Sequence, residues 1–207
     1  MASNNNLKVL GRIEDSQKNI IAQEFIQAFS KKYPSVRGEL YLGYPIYIDE
    51  IANRQTCVDI ALISHIGVYI INILTNTVTD YGQIQDDIYA KVESKFKKQP
   101  FLFRRRKLVF EFSAVTYSIP QAHYIEGYPL VTNVEELLNF IEETKEDTVF
   151  PDDLYEKILS GIQEAYGINI HRERGNVSEG TKAYAISQMS SMIEKYDSRQ
   201  MEAILSD

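Results

Sequence analysis

The chain has very little cysteine, no tryptophan and no long hydrophobic run. With Cys57 as its single cysteine, it cannot form an internal disulfide bond, which favours a reducing compartment. No segment approaches the ~20 consecutive apolar residues of a membrane-spanning helix. Residues 1–6 are polar and rich in asparagine, unlike a secretory signal. We therefore expect no membrane partner and a cytoplasmic location.

Positive charge is also in short supply, with 22 lysine and arginine residues against 29 aspartate and glutamate residues and a formal net charge of -7. This balance argues against nucleic-acid binding over the whole surface, but it leaves room for a local basic patch. The hydrophobic content is 44%, which is typical of a soluble globular chain and sufficient for a sizeable core.

Two kinds of site are missing from the sequence. The histidines His65, His123 and His171 are scattered without the spacing of a zinc site. No glycine-rich GxxxxGK loop is present, so the sequence contains no phosphate-binding loop of that type. Zinc chemistry and nucleotide hydrolysis by this chain are therefore not expected.

The spacing of apolar residues predicts a mixed α/β domain around a central hairpin. Residues 58–63 and 67–74 are short Ile- and Val-rich runs separated by three residues, which is typical of two buried neighbouring strands. Helical spacing is seen over 16–33, with Ser16 as the expected N-cap, and over 83–99. Further strands are predicted at 7–10, 39–48, 107–118 and 128–131.

The second half of the chain has a weaker pattern. A helix capped by Asn133 is predicted over 133–144, and another begins at Asp152 or Asp153 and runs to about 166. A charged linker over 167–180 and a helix over 181–196 follow. We predict an α/β domain at 1–150 and a helical extension at 151–207.

Two polar residues interrupt the central hairpin, Asp59 in the first run and Asn72 in the second. Polar groups inside a sheet must find hydrogen-bond partners, so their presence needs a reason. One reading is structural: Asp59 accepts backbone hydrogen bonds and Asn72 bridges it to a neighbour. The other reading is a metal-binding catalytic core.

The segments GELYLGYPIYI, VDIALIS and VYIINIL resemble the PD-(D/E)xK nuclease superfamily, and most closely its NERD-type branch. The resemblance implies a restriction-endonuclease-like mixed sheet flanked by helices. It also implies an early acid at Glu39, a metal-binding acid at Asp59, and an acid-x-Lys triplet beginning at Asn72. In an active enzyme of this kind, Asp59 would bind Mg²⁺.

The sequence departs from the family pattern in the triplet. Asn72 stands where an acid is expected and Leu74 where the lysine is expected. A neutral amide is a weak ligand for a hard cation, and leucine offers neither charge nor a hydrogen bond. We therefore expect a degraded nuclease site. The alternative is an active Mg²⁺-dependent DNase that recruits Gln85 or Lys91 as replacements.

Cationic and aromatic residues alternate between positions 95 and 107. Phe96, Phe101 and Phe103 lie among the cations. Lysine and arginine provide the phosphate contacts of nucleic-acid-binding proteins, so this stretch predicts a DNA contact. The alternative is a solvated helix end followed by phenylalanines that enter the core. The predicted DNA-binding residues are Lys95, Lys97, Lys98, Arg104, Arg105, Arg106 and Lys107.

The end of the chain, ISQMSSMIEKYDSRQMEAI, resembles the approach to the ATPase core of bacterial superfamily 1 (UvrD/Rep-like) helicases. In that family a glutamine shortly before the Walker A loop reads the adenine of ATP, and Gln200 matches it. The resemblance implies an N-terminal accessory domain of an ATP- and Mg²⁺-dependent DNA helicase, with DNA and the helicase core as partners. A further alternative is a protein-interaction module whose acidic segment 142–153 binds a protein and ignores DNA.

Overall fold

The structure is a computed structural model that describes residues 6–49, 54–76, 80–99, 102–119, 129–145 and 150–170. It confirms the predicted α/β class. The helices are α1 (Ser16–Lys32), α2 (Tyr81–Lys97), α3 (Val134–Thr144) and α4 (Asp152–Ile170). The strands are β1 (Leu7–Gly11), β2 (Gly38–Asp49), β3 (Arg54–Ser64), β4 (Gly67–Leu74), β5 (Phe103–Arg104), β6 (Lys107–Leu108), β7 (Ser113–Ser118) and β8 (Leu130–Val131).

Six strands form one mixed sheet in the order β1-β2-β3-β4-β7-β8. The predicted central hairpin is confirmed, because β3 and β4 pair antiparallel through Ile60–Ile71 and Ser64–Gly67. β2 also pairs antiparallel with β3, whereas β1 is parallel to β2 and β7 is parallel to both β4 and β8. The remaining strands, β5 and β6, form a separate two-stranded hairpin.

Helices cover both faces of the sheet and give three layers. α1 and α3 pack on one face, where Phe25, Phe29 and Leu137 meet the β-branched residues of β3 and β4. α2 and α4 pack on the other face, where Val92 and Phe96 belong to the core. The central strands read as continuous apolar runs because both of their faces are buried.

The beginning of the predicted helical extension is part of this same core. Tyr155, Ile158 and Ile162 of α4 are buried in the cluster beneath α2. The Tyr44 hydroxyl donates to the carbonyl oxygen of Ile162, and the Phe150 N–H donates to the carbonyl of His65. The start of the extension therefore packs as an integral layer of the α/β domain.

Several local predictions need correction. The N-cap of α1 is Asp15, whose carboxylate accepts the Lys18 backbone N–H, so Ser16 is the first helical residue. The strand predicted over 107–118 is divided, because residues 109–112 leave the sheet and Phe110 and Phe112 pack on Phe96. Residues 167–170 continue α4 instead of beginning a linker. The helix predicted over 181–196 lies outside the described residues.

The starts of α3 and α4 agree with the predictions, whereas α2 spans Tyr81–Lys97 in place of the predicted 83–99. The Asn133 side chain caps α3 by accepting the Glu136 N–H at 2.9 Å, as predicted. α4 begins at Asp152.

Strand alternation is interrupted where β2 and β3 pass each other at Gly43 and Asp59. Leu42 and Ile60 pair and lie on the α1/α3 face, whereas the next pair, Tyr44 and Val58, lies on the α2/α4 face. Gly43 takes φ +68°, and a Cβ there would lie 2.7 Å from the Arg12 carbonyl oxygen, so the position requires glycine. Because of this irregularity, Asp59 lies within the sheet at the point where the side chains of β3 stop alternating between the two faces.

Candidate functional site

The Asp59 carboxylate lies in the middle of the sheet and is held by three hydrogen bonds. The Ile73 backbone N–H donates to Oδ2 at 2.6 Å. Lys18, from the first turn of α1, donates from Nζ to both carboxylate oxygens at 3.0 and 3.1 Å. The Asp59 side chain is 12% exposed and the Lys18 side chain 24% exposed. A lysine ammonium therefore neutralises the carboxylate that the resemblance assigns to a metal.

Burial controls the protonation of Asp59. Desolvation raises the pKa of its carboxyl group. The hydrogen bond from the Ile73 N–H, the positive charge of Lys18 and the hydrogen bond from Lys18 lower the pKa, but desolvation outweighs them. Asp15, which caps α1, adds a further upward shift through its negative charge. The ion pair is thus the arrangement that allows a charged carboxylate to remain inside the sheet.

Glu39 has a separate set of partners, beside the Ser64 end of β3. Its carboxylate is buried and accepts hydrogen bonds from Lys8 at 3.1 Å, from Gln163 at 2.9 Å and from the Tyr41 hydroxyl. Nearby, burial and the negative charge of Glu39 raise the pKa of Tyr155 to about 12. These contacts join β1, β2 and α4, so Glu39 stabilises the packing of α4 on the sheet.

Glu39, Asp59 and Asn72 do not come together. Glu39 pairs with Ile63, which is four residues from Asp59 along β3, a separation of roughly 13 Å. Asn72 lies between Ile71 and Ile73, which both face α1 and α3, so its side chain points to the opposite face. Asp59 instead binds a residue of α1.

These residues do not fit a Mg²⁺ site of the nuclease type. Such a site needs two or more carboxylates on one cation and a nearby lysine. Of the two candidate acids, only Asp59 lies at this point of β3, and Lys18 already binds both of its oxygens. Over the residues that the structure describes, no group of three or more metal-binding side chains occurs.

The two residues considered as replacements are engaged elsewhere. Gln85 is buried and donates to the Tyr81 hydroxyl at 2.7 Å and to the Thr116 hydroxyl. Lys91 forms an ion pair with Asp87 one turn earlier in α2 and lies over the ring of Tyr47. Neither side chain contacts Asp59.

The predicted acidic surface is also partly neutralised. Within its described residues, Glu142 accepts hydrogen bonds from Tyr33 and Lys145, and Asp152 pairs with Arg37 at 2.5 Å. Residues 146–149 of this segment lie outside the described residues.

Lys95 does not belong to the exposed basic surface. It is buried, its Nζ donates to the carbonyl oxygen of Pro45, and it lies 4.6 Å from the centroid of the Tyr44 ring. Desolvation lowers the pKa of its amine to about 7. This lysine is part of the packing between α2 and β2 and cannot contact a phosphate backbone.

The other predicted cations gather at one end of the molecule, around the C-terminal end of α2. Lys97 and Lys98 end the helix and are exposed. Gln99 accepts the backbone N–H groups of Leu102 and Phe103, which places the β5–β6 hairpin directly after the helix. The fold therefore places the cations at the end of α2 next to the cations of the hairpin.

The tip of this hairpin consists entirely of cations. Arg104 pairs with Lys107, and Arg105 and Arg106 form the two-residue turn with φ of +48° and +67°. All four residues are exposed. Within the described part of the chain, no carboxylate lies within ion-pair distance of any of them. We refer to residues 103–108 as the cationic hairpin.

The turn is built from unfavourable residues. A two-residue turn with positive φ at both positions favours Asn-Gly, because a side chain strains this conformation. Two arginines at these positions lower the stability of the turn and concentrate positive charge there. Strain of this kind is concentrated at functional sites.

Replacing the turn by Asn-Gly (Arg105→Asn with Arg106→Gly) is expected to raise the free energy of unfolding by about 1 kcal/mol. The gain comes from relief of the positive-φ strain at both positions. Urea denaturation measures it. The control is Arg104→Gln with Lys107→Gln, which removes two charges from the same hairpin at strand positions and should change stability by less than about 0.5 kcal/mol. Equal effects of the two double variants would contradict the strain argument.

Sequence reasoning did not identify Lys18 or Lys8 as partners of the two acids. No local signal could have found them, because Lys18 is 41 positions from Asp59 and Lys8 is 31 from Glu39. The hairpin had a signal that was overlooked: four consecutive cations lie between Phe103 and Leu108, which face each other across it. Gln200 lies outside the described residues.

Comparison with protein-family models, with curated proteins and with solved structures finds no match for this chain. Among the described residues, no helix combines the length and the apolar character needed to cross a bilayer.

Proposed function

We propose that this chain is a nuclease-like accessory domain that binds DNA through the cationic hairpin and does not cleave it. The observation that carries the proposal is the exposed group of four cations at the hairpin tip, on a protein whose net charge is -7. Phosphates attract such a group, and an acidic protein otherwise repels DNA. Lys98 extends the same surface from the end of α2, beside Lys97, which forms an ion pair with Glu93.

The Asp59 centre supports the proposed absence of cleavage. Its carboxylate is bound by Lys18 and by a backbone N–H, and it belongs to no group of three or more metal-binding side chains among the described residues. Leucine occupies position 74, where the family has its catalytic lysine. A centre of this composition holds the sheet together and provides no charge stabilisation at a scissile phosphate.

The helicase part of the proposal comes from the tail. Its support is the resemblance of the segment around Gln200 to the approach to a superfamily 1 ATPase core. In this arrangement ATP and Mg²⁺ are used by the helicase core, and the present domain positions DNA beside it. Reading the source gene beyond codon 207 tests this: a glycine-rich GxGKT loop in the same frame supports it, and a different downstream sequence removes its main support.

Reversing the charge of Arg104, Arg105 and Arg106 to glutamate is expected to weaken DNA binding by about 10- to 100-fold at low salt. The variant should also reduce the dependence of log K on log salt by roughly 2 to 3, because each lost phosphate contact removes about 0.9. Fluorescence anisotropy with a labelled oligonucleotide over a series of salt concentrations measures both quantities.

The matched control reverses three other exposed cations, Arg12, Lys31 and Lys157, which lie outside the hairpin. It changes the net charge by the same amount but leaves the hairpin intact. We therefore expect it to lower the affinity for DNA only slightly, through the electrostatic field of the whole protein. An unchanged affinity and salt slope in the hairpin variant would falsify the proposed DNA contact. If the protein binds no DNA even at low salt, the protein-interaction alternative is favoured.

The same preparation tests the DNase alternative. Single- and double-stranded DNA are incubated with the protein and Mg²⁺, and we expect no cleavage. Cleavage that disappears in Asp59→Ala would overturn the interpretation of this centre as structural.

A further inference from the structure

Beside the cationic hairpin lies an exposed aromatic surface that charge alone does not explain. The Tyr89 ring of α2 stacks on Phe112 with centroids 4.6 Å apart and an angle of 23° between the planes. Tyr89 is nevertheless 45% exposed. One face of its ring is therefore covered by Phe112, and nearly half of the residue's surface remains open to solvent.

The stacked pair and the hairpin belong to one continuous strip. Tyr89, Glu93 and Lys97 follow one another at four-residue spacing and share one flank of α2. Phe110 and Phe112 lie beside Phe96 with centroids 5.6 and 5.7 Å away, so the segment after the hairpin runs along the helix. Tyr89 and Lys97 are separated by about 12 Å, two turns of helix.

We infer that this strip binds single-stranded nucleic acid, with Tyr89 stacking on a base and the cationic hairpin holding the phosphates. The inference rests on the proposed function, since the hairpin supplies the phosphate contacts. An exposed aromatic ring on the same flank as exposed cations suits single-stranded nucleic acid, because its bases are free to stack. A duplex keeps its bases stacked internally and uses only the cations.

The charges near Tyr89 are consistent with this orientation. Glu93 pairs with Lys97 at 2.9 Å, so its charge is compensated. Burial raises the pKa of the Tyr89 hydroxyl, and the negative charges of Glu93 and of the exposed Glu111 raise it further. These carboxylates disfavour a phosphate directly over the ring, so in the proposed complex the phosphates lie at the hairpin and only a base lies at Tyr89.

The chain contains no tryptophan, which allows a selective optical test. Tyr89→Trp introduces a single indole that keeps the stacking surface. Addition of a thymidine oligonucleotide should quench its fluorescence, and a duplex of equal length should not. The control is Tyr47→Trp, because Tyr47 is 49% exposed and lies with Lys91 on the other flank of α2. We expect no quenching of the control by either nucleic acid.

Affinity gives the second measurement. Tyr89→Ala should weaken binding of the thymidine oligonucleotide by about 10-fold and change duplex binding by less than twofold. Tyr89→Phe keeps the aromatic ring, so its affinity should be close to that of the wild type. Thermal unfolding of each variant verifies that the fold is retained, and the tryptophan variant provides the readout if the alanine variant is unstable.

The outcomes separate the inference from the proposed function. If hairpin reversal weakens binding but Tyr89→Ala and the tryptophan reporter show no effect, the stacking site is refuted and the DNA contact stands. Equal losses for single strand and duplex in Tyr89→Ala would also refute it. If neither set of variants changes binding, both fail.

Discussion

Replacing Lys95 with methionine is expected to stabilise the protein by about 1–3 kcal/mol below pH 7. The lysine is buried against Tyr44 and Pro45, and its charged form carries the cost of desolvation. Methionine has a similar length and no charge, so it fills the same space between α2 and β2.

The gain should depend on pH in a defined direction. Desolvation lowers the pKa of Lys95 from 10.5 to about 7 in the folded protein. Between these values the folded state binds fewer protons than the unfolded state, so the stability of the wild type rises with pH. The desolvation cost is complete below pH 7 and disappears as the pH rises to 10.5. The advantage of Lys95→Met should therefore shrink over this window.

Urea denaturation at pH values on either side of this window measures the effect. Lys98→Met is the matched control, because Lys98 is exposed three positions later at the helix end. It should change stability by less than about 0.5 kcal/mol at every pH. A destabilised Lys95→Met variant at all pH values would show that the contacts with Pro45 and Tyr44 outweigh desolvation.

Replacing Lys18 with methionine is expected to have the opposite effect and to lower the free energy of unfolding by about 2–4 kcal/mol at neutral pH. The Asp59 carboxylate is 12% exposed and would lose both hydrogen bonds from its one cationic partner. An uncompensated charge would then remain inside the sheet, which is the costly half of breaking an ion pair.

The double variant Lys18→Met with Asp59→Asn separates this mechanism from a simple loss of packing. Asparagine keeps an oxygen that can accept the Ile73 N–H and removes the charge. We expect the double variant to recover most of the lost stability and to lie within about 1 kcal/mol of the wild type. A double-mutant cycle based on urea denaturation gives the coupling energy.

Lys31→Met is the matched control on the same helix, because Lys31 is exposed near the end of α1. It should change stability only slightly. If Lys18→Met has no larger effect than this control, Asp59 does not need its lysine, and the description of the centre as a structural ion pair fails. If the double variant is no more stable than Lys18→Met alone, the loss comes from packing.

Much of the fold could be predicted because it depends on local patterns. The run over residues 58–63 of β3 and the run over β4 are apolar at nearly every position, which indicates strands covered on both faces. The start of α3 depends on Asn133, whose side-chain oxygen accepts the backbone N–H of Glu136, only three residues further along the chain. Errors occurred where a tertiary contact outweighs the local pattern, as where Phe110 and Phe112 leave the strand to pack on Phe96.

The partners of charged residues were not predictable in the same way. Lys95 appears in the sequence as one of several cations in a basic stretch, but the structure buries it, since helical periodicity places it beside Val92 and Phe96. Asp59 appears as a metal ligand by resemblance, but the structure gives it a lysine from another helix. In both cases the deciding contact joins elements distant in the chain.

The sequence by itself determined the layered α/β architecture, the central hairpin and the presence of a local basic stretch on an acidic chain. These properties depend on hydrophobic spacing, capping and composition, which are properties of neighbouring residues. Only the tertiary structure decided that Glu39 and Asp59 lie far apart, that Lys18 neutralises Asp59, and that Tyr89 lies on the flank of α2 that leads to the cationic hairpin. Packing the helices on the sheet fixes these relations, because it sets which side chains from distant parts of the chain meet and which remain in water.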